Sequence, residues 1–405
     1  MLDVNRDTLT FIMAGGKGER LYPLTKYRTK PAVPFGGSYR VIDFTLSNCL
    51  NSGLRRIYVL TQYKALSLDR HIQSGWNLFK REVGEFIEIL PAQQRVGEDW
   101  YLGTADALYQ NLFTIEMEGA KEILILAGDH VYKMDYRPML RYHREKKADL
   151  TIGAIPVPVE HAKELGIMEL DSEGRVVSFQ EKPERPKTIK DSPSFSLASM
   201  GIYVFRKKKL KEILLEDAKE AKSSHDFGKD IIPAMIGKDR VFAYPFTGKN
   251  KEPLYWRDIG SIDAYWEANM DLVSVSPIFN LYDQDWPIRT YLEQFPPAKT
   301  VFADGERKGL ALDSLVSQGC IISGGLVERS ILSPGVRVEE YAQVWESILM
   351  EGVKIGRKAK IRRAVIDKFT SIPEELAIGY NLEEDRKRFP VTEKGIVVVL
   401  QEAFK

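Results

Sequence analysis

The chain has 405 residues, 44% of them hydrophobic and 28% charged, with 58 Lys and Arg against 57 Asp and Glu and a formal net charge of +1. That balance argues against a nucleic-acid partner, which calls for a basic excess, yet small phosphorylated ligands need only a local cluster of cations. A charged-then-apolar leader and an apolar run of membrane-spanning length are both absent from the sequence, so the expectation is a soluble, cytoplasmic protein without a membrane partner.

The first predicted element is a strand over Phe11–Ala14, which breaks into Gly15-Gly16-Lys17-Gly18-Glu19-Arg20. Glycines reach positive φ and let the backbone approach a ligand with no Cβ in the way. Successive N–H groups then form an anion nest, and Lys17 and Arg20 add full charge. The alternative is an ordinary strand-to-loop turn with two solvated cations. Neither the Walker A spacing nor the G-x-G-x-x-G dinucleotide pattern is present.

Further strands are predicted over Ile57–Thr61, Ile123–Ala127, Leu150–Pro156, Val176–Phe179 and Met200–Phe205. Helical patterns cover Thr45–Gly53, Ala105–Glu116 and Pro138–Lys146. Short apolar strands alternating with helices predict an α/β domain with a mostly parallel sheet covered on both faces. Ligands of such sheets sit beyond the carboxyl ends of the strands. The glycine loop and Gly128-Asp129 both fall at such ends, so two distant motifs point to one crevice. The segment Ser276–Lys299, with Pro277, Pro287, Pro296 and Pro297, reads as a connector. Beyond it, Leu326, Leu332, Val338, Val344 and Met350 recur every six residues, and Ile355, Ile361, Ile366, Ile372 and Ile378 continue after slips of one. That period predicts a left-handed parallel β-helix whose aliphatic residues point inward, rather than chance alternation in a β-sandwich. So short a solenoid needs covering, by the first domain or by another subunit. Cys49 and Cys320 sit among apolar neighbours and read as free buried thiols.

Asp129 follows the apolar run Ile123–Ala127 directly, a place where a carboxylate serves no packing purpose. Mg²⁺ takes carboxylate and phosphate oxygens. Asp258, in Tyr255-Trp-Arg-Asp-Ile-Gly260, is either the ion-pair partner of Arg257 or a second ligand. Glu181-Lys182-Pro183 offers an acceptor for sugar hydroxyls and an ammonium for a phosphate, or else a surface salt-bridged turn. Ser224-His225-Asp226 matches a hydrolase triad only by letter, and His130 has no zinc-type spacing around it.

In order along the chain stand AGGKGERLYPLT, KPAVP, SNCLNSG, PAQQR, WYLGTADAL, ILAGDHVYKMDY, FQEKP, SLASMGIYVF, SSHDFGKDIIP and YWRDIGSIDAYWEANMDL. This series resembles the bacterial glucose-1-phosphate adenylyltransferases, also called ADP-glucose pyrophosphorylases, over nearly the whole chain. The family's loop usually has Thr where this chain has Glu19. The resemblance implies a Rossmann-like nucleotidyltransferase domain over residues 1–275, a linker over 276–300 and a regulatory and oligomerising β-helix over 301–405. It implies that ATP and α-D-glucose 1-phosphate give ADP-glucose and diphosphate, for glycogen synthesis. It assigns Mg²⁺ to Asp129 and Asp258, and catalytic charge to Arg20 and Lys30. Nucleotide binding falls to Gly15, Gly16, Lys17, Gly18, Gln62, Gly103, Thr104 and Ala105; Gly103 and Ala105 are small enough to admit a flat ring against backbone. Glucose 1-phosphate falls to Tyr101, Gly166, Glu181, Lys182 and Ser199. Members are homotetramers with a sugar-phosphate activator between the domains and AMP as an inhibitor. Arg28, Arg40, Arg362 and Arg386 are the candidate effector cations, with Gln62 and Trp100 relaying the signal. Simple core packing is the plainer reading of Trp100, and solvated charge that of each arginine. A scaffold using UTP, dTTP or GTP and a non-catalytic subunit of the same fold are the rival readings.

Overall fold

The structure, a computed structural model, describes residues 4–16, 18–92, 100–248 and 252–404. Lys17 and most of the PAQQR motif lie outside them.

The strands β1 Thr8–Met13, β2 Arg56–Thr61, β3 Phe86–Pro91 and β4 Glu122–Ala127 form the parallel half of a nine-stranded sheet, in the order β4-β1-β2-β3. They read as near-continuous apolar runs because helices cover both faces. A two-stranded ribbon pairs β5 His130–Tyr132 with a later strand described below. The other half of the sheet is antiparallel. It contains β6 Leu150–Pro158, β7 Gly166–Leu170, β8 Val176–Glu181 and the twelve-residue β9 Phe195–Arg206, and β9 joins the halves by pairing with β4. A parallel edge strand, β10 Val241–Pro245, flanks β6. The strand β9 is much longer than its apolar run Met200–Phe205. Its first half is held by pairing with β6, and the register shifts between Ser199 and Tyr203. Bulges of that kind re-aim side chains at sheet edges and sites.

The helix α1 spans Val41–Asn51 and begins four residues before its apolar pattern. The Asp43 carboxylate accepts from the Arg40 backbone N–H at 2.8 Å, a capping interaction that starts the helix early. The pattern Ala105–Glu116 is two helices, α2 Thr104–Tyr109 and α3 Leu112–Met117, not one. The helix α4, Tyr136–Glu145, starts where Asp135 accepts from the Arg137 N–H, which leaves Pro138 in the first turn, where a proline is tolerated.

Residues 299–399 wind into three walls of parallel strands, the predicted left-handed β-helix. Its first coil repeats after sixteen residues and the later ones after seventeen: Leu332, Leu349 and Ile366 lie in register, as do Val338, Ile355 and Ile372. The inward register corrects the hexads at two places. Val327, not Leu326, and Leu349, not Met350, point into the coil, because one side of each coil is a residue shorter than the other two. Met350 instead faces the first domain. So do Ile331, Ile348, Val365 and Val398, which pack on Ile262, Tyr265 and Leu272 of α5, Ile262–Leu272, and on Phe35 and Phe44. One wall is therefore apolar on both sides, inward for the coil and outward for the domain contact. The connector is bound rather than free. Thr290 donates to Asp43 at 2.6 Å, Trp286 to Asn48 at 2.8 Å, and the Arg289 N–H to Ser47 at 2.9 Å. Both cysteines are buried and unpaired. Among the described residues no helix is long and apolar enough to cross a membrane.

Candidate active site

Beyond the carboxyl ends of β1 and β4 lie three adjoining lobes, and Asp129 lines all of them. The first, about 410 Å³, is walled by Gly16, Gly18, Glu19, Arg20, Lys30 and Gly260. Gly18 takes φ 63°, the left-handed region, and a Cβ there would lie 3.0 Å from the Thr25 methyl. Thr25 Oγ1 donates to the Gly18 carbonyl at 2.9 Å and closes the loop on itself. A glycine-lined lobe with Arg20 and Lys30 on its wall suits a polyphosphate.

The second lobe, about 800 Å³, runs over Gly15, Leu60, Gln62, Trp100, Tyr101, Gly103, Thr104, Tyr203, Asp226 and Gly228. It is the largest and least charged, and Trp100 stands half-exposed on its rim, stacked on Tyr63 at 6.2 Å between ring centres. Gln62 Nε2 donates to the Tyr101 carbonyl at 3.4 Å, so Gln62 joins the glycine-loop side to the Trp100–Thr104 side. Ala105 lies in the core beneath the lobe and not on its wall. Its N–H donates to the His225 carbonyl at 2.8 Å, and a Cβ on Gly103 would lie 2.2 Å from that same oxygen. Small residues are thus needed here for the close passage of the Ser223–Phe227 loop.

The third lobe, about 210 Å³, holds Arg20, Lys30, His130, Glu164, Gly166, Glu181, Lys182, Ser199 and Asp258. A Cβ on Gly166 would strike the Phe179 ring at 2.4 Å and meet Glu181 at 3.0 Å, so only glycine fits. Lys182 takes φ 46°, and its N–H donates to the Leu165 carbonyl at 3.0 Å, turning the chain just after β8. Burial raises the pKa of Glu181, with Lys182 opposing and Asp226 adding to it. Ser199 sits at the β9 bulge, where its hydroxyl accepts from the Gly201 N–H at 3.3 Å.

The lobes meet at two carboxylates. Asp129 follows β4, and Asp258 ends β11, Trp256–Asp258, which pairs antiparallel with β5 so that Asp258 lies opposite His130. Arg257 points away, to Asp271 at 2.9 Å. The Arg257–Asp258 pair that the sequence left open is therefore not formed. Lys30 Nζ lies 2.7 Å from Asp129 and 2.9 Å from Asp258. Burial would raise the Asp129 carboxyl, but Lys30 and then His130 outweigh it and bring the pKa to about 2. Burial likewise works against the Lys30 ammonium, and the two carboxylates reverse that and raise its pKa. Asp129, His130 and Asp258 present donor atoms within 4.8 Å of one another. His130 Nδ1 is buried with no hydrogen-bond partner. Two carboxylate oxygens beside a glycine-lined, cationic lobe are the donor set a hard divalent cation takes. Arg20 reaches across the third lobe to Glu164 at 2.5 Å.

The effector candidates separate. Arg28 is buried and donates twice to Asp367 of the β-helix, at 2.8 and 3.2 Å. Arg40 donates to the Ser67 carbonyl and hydroxyl at 2.9 and 2.8 Å. It lines a cleft between the domains with His71, Gln318, Ser333, Glu351 and Lys368. Burial lowers the Lys368 pKa, and Arg40 and Arg28 act in the same direction, which puts the three cations in one cluster. Arg362 and Arg386 are exposed and do not line that cleft. Sequence reasoning missed Glu164, Tyr203 and Lys368. The first two are brought in by the fold of a distant segment and by the β9 bulge, and Lys368 stands at a solenoid position with no local signal.

The two-part architecture has counterparts among known proteins. The nucleotidyl transferase family model matches residues 9–275, and the GlmU-like C-terminal hexapeptide model matches residues 296–399. A glucose-1-phosphate adenylyltransferase of Methylococcus capsulatus is 56% identical over 98% of this chain and 94% of its own length. One from Rhodopirellula baltica is 55% identical over 97% of this chain and 90% of its own, and one from Koribacter versatilis 52% over 98% and 96%. With a glycine loop beside cations, a paired-carboxylate centre and a β-helix in one chain, and relatives of this closeness end to end, the chain belongs to the glucose-1-phosphate adenylyltransferase family of nucleotidyl transferases.

Proposed function

We propose that this chain transfers the adenylyl group of ATP to α-D-glucose 1-phosphate, giving ADP-glucose and diphosphate. The observation that carries the reading is the convergence of three lobes on Asp129. One is a glycine-rich phosphate lobe, one a large nucleoside lobe, and one a small polar lobe with Glu181 and Lys182. In the transfer a sugar-phosphate oxygen forms the new bond to the α-phosphorus, and the bond to the diphosphate oxygen breaks. The attacking group is already an anion, so no general base is required, and catalysis is positioning and charge neutralisation. Lys182 holds the sugar phosphate in line, and Glu181 accepts from sugar hydroxyls. Arg20 and Lys17 take the charge that develops on the departing diphosphate, which for Arg20 means exchanging Glu164 for a phosphate. Gly15, Gly16 and Gly18 present backbone N–H groups to the triphosphate, and Gln62, Tyr101 and Thr104 border the nucleoside. Asp129 and Asp258 would hold Mg²⁺, which neutralises charge on the reacting oxygens.

The same reading extends to a cytoplasmic homotetramer activated by a sugar phosphate and inhibited by AMP. Its support is the Arg40–Lys368 cleft at the domain boundary and the apolar seam that fixes the domains against each other. The deciding experiment measures diphosphate release from glucose 1-phosphate with ATP, UTP, dTTP and GTP in parallel. ATP should be the preferred substrate; a preference for UTP or dTTP overturns the reading.

A further inference from the structure

Lys30 occupies the spot on which Asp129 and Asp258 converge. Its Nζ is within hydrogen-bond distance of one oxygen from each, at 2.7 and 2.9 Å, and its side chain is 10% exposed. Carboxylates this close repel one another unless a cation lies between them. A Mg²⁺ bound to the same oxygens would stand about 2.1 Å from each, so it and the ammonium would compete for nearly one position. Two cations crowded there would repel by several kcal/mol even at a protein-like effective dielectric. A metal on those two oxygens therefore requires the ammonium to move aside.

The surroundings offer it one kind of destination. Lys30 lines the phosphate lobe with Gly16, Gly18 and Arg20, and also the lobe with Lys182. Its backbone is fixed: the turn Lys30–Ala32 is tied by the Thr29 hydroxyl, which donates to the Ala14 carbonyl at 3.1 Å. Only the flexible stem is left to swing, and three rotatable donors let an ammonium change partners without losing hydrogen bonds.

We propose that Lys30 is the built-in counter-ion of the metal site, lying between Asp129 and Asp258 while no nucleotide is bound and yielding to the metal only when a polyphosphate accepts its ammonium. The proposal rests on the metal reading given under Proposed function. Its consequence is an order of events: the free protein binds divalent cations weakly, and the metal arrives with the nucleotide. Discrimination against free metal is then a property of one lysine.

The test is Mn²⁺ binding, read by the electron paramagnetic resonance of the free ion, with no turnover involved. Without nucleotide, Lys30→Met and Lys30→Gln should bind Mn²⁺ at least about tenfold more tightly than wild type, because the carboxylates lose their internal partner. The gain should vanish in Lys30→Met/Asp129→Asn. With α,β-methylene-ATP present, wild type should tighten toward the Lys30 variants. Should either variant lose stability, its thermal midpoint should rise with Mn²⁺ more steeply than that of wild type. Equal or weaker Mn²⁺ binding in both Lys30 variants, with Asp129→Asn still abolishing it, overturns the role of Lys30 and leaves the metal site standing. Mn²⁺ binding that ignores Asp129→Asn and Asp258→Asn in every background overturns the metal reading and this proposal with it.

Discussion

The buried Arg28–Asp367 pair joins the β-helix to the segment that carries both Arg20 and Lys30, and Asp367→Asn isolates what it contributes. Arg28 is 8% exposed and Asp367 3%, and the two hydrogen bonds reach both carboxylate oxygens. Asn keeps the shape and one acceptor but leaves the guanidinium buried without a counter-ion, beside Arg40 and Lys368. Breaking such a pair from one side costs about 3–5 kcal/mol. For domains of this size that is a fall in Tm of roughly 6–20 °C. The second fastening of the segment, Lys26 with Glu402, is half-exposed and contributes little. Arg28 is two residues from Lys30, so kcat should fall as well. Calorimetry, with diphosphate release as the activity readout, compares Asp367→Asn with the double variant Arg28→Met/Asp367→Leu. The double variant removes both charges together and should recover most of the lost stability. A single variant within about 2 °C of wild type, or a double variant as damaged as the single, refutes the claim that an uncompensated buried charge is the cause.

Four further outcomes are expected. Asp129→Asn and Asp258→Asn should each fold but lose about 3–5 kcal/mol of transition-state stabilisation in steady-state kinetics at saturating Mg²⁺; near-normal kcat in both removes the two-carboxylate centre. Lys182→Gln should raise KM for glucose 1-phosphate far more than KM for ATP, and the reverse would move Lys182 to the triphosphate. Burial, and next Arg206, lowers the His143 pKa from 6.5 to about 4, so the neutral ring belongs to the folded state. Its contribution is complete above about pH 6.5 and is lost as pH falls toward 4, up to about 3 kcal/mol. His143→Gln should flatten that part of the urea-denaturation pH profile, and an unchanged slope rejects the assignment. Arg40→Ala should blunt the response to fructose 6-phosphate, fructose 1,6-bisphosphate, 3-phosphoglycerate and AMP; a response equal to wild type dismisses the interdomain cleft as the effector site.

Local features were legible wherever the chain states them locally. The break from Phe11–Ala14 into glycines, the strand Ile57–Thr61 and the aliphatic hexads each depend on neighbours in sequence. Boundaries were less legible, because they are set by partners elsewhere. The strand β9 is extended by β6, and α1 by a capping carboxylate. The hexads misplace Met350 because both it and Leu349 are buried, one against the first domain and the other in the coil. A wall that is apolar on both sides carries no mark of which residue faces in.

The sequence by itself determined the two architectures, the glycine loop and the carboxylates at strand ends, since glycine, periodicity and charge placement act over a few residues. Tertiary structure alone decided which charges meet. It sent Arg257 to Asp271 and gave Asp258 to Lys30. It closed Arg28 on Asp367 and brought Lys368 beside Arg40. Electrostatic energy depends on distance and burial in space, and neither can be read from positions along a chain.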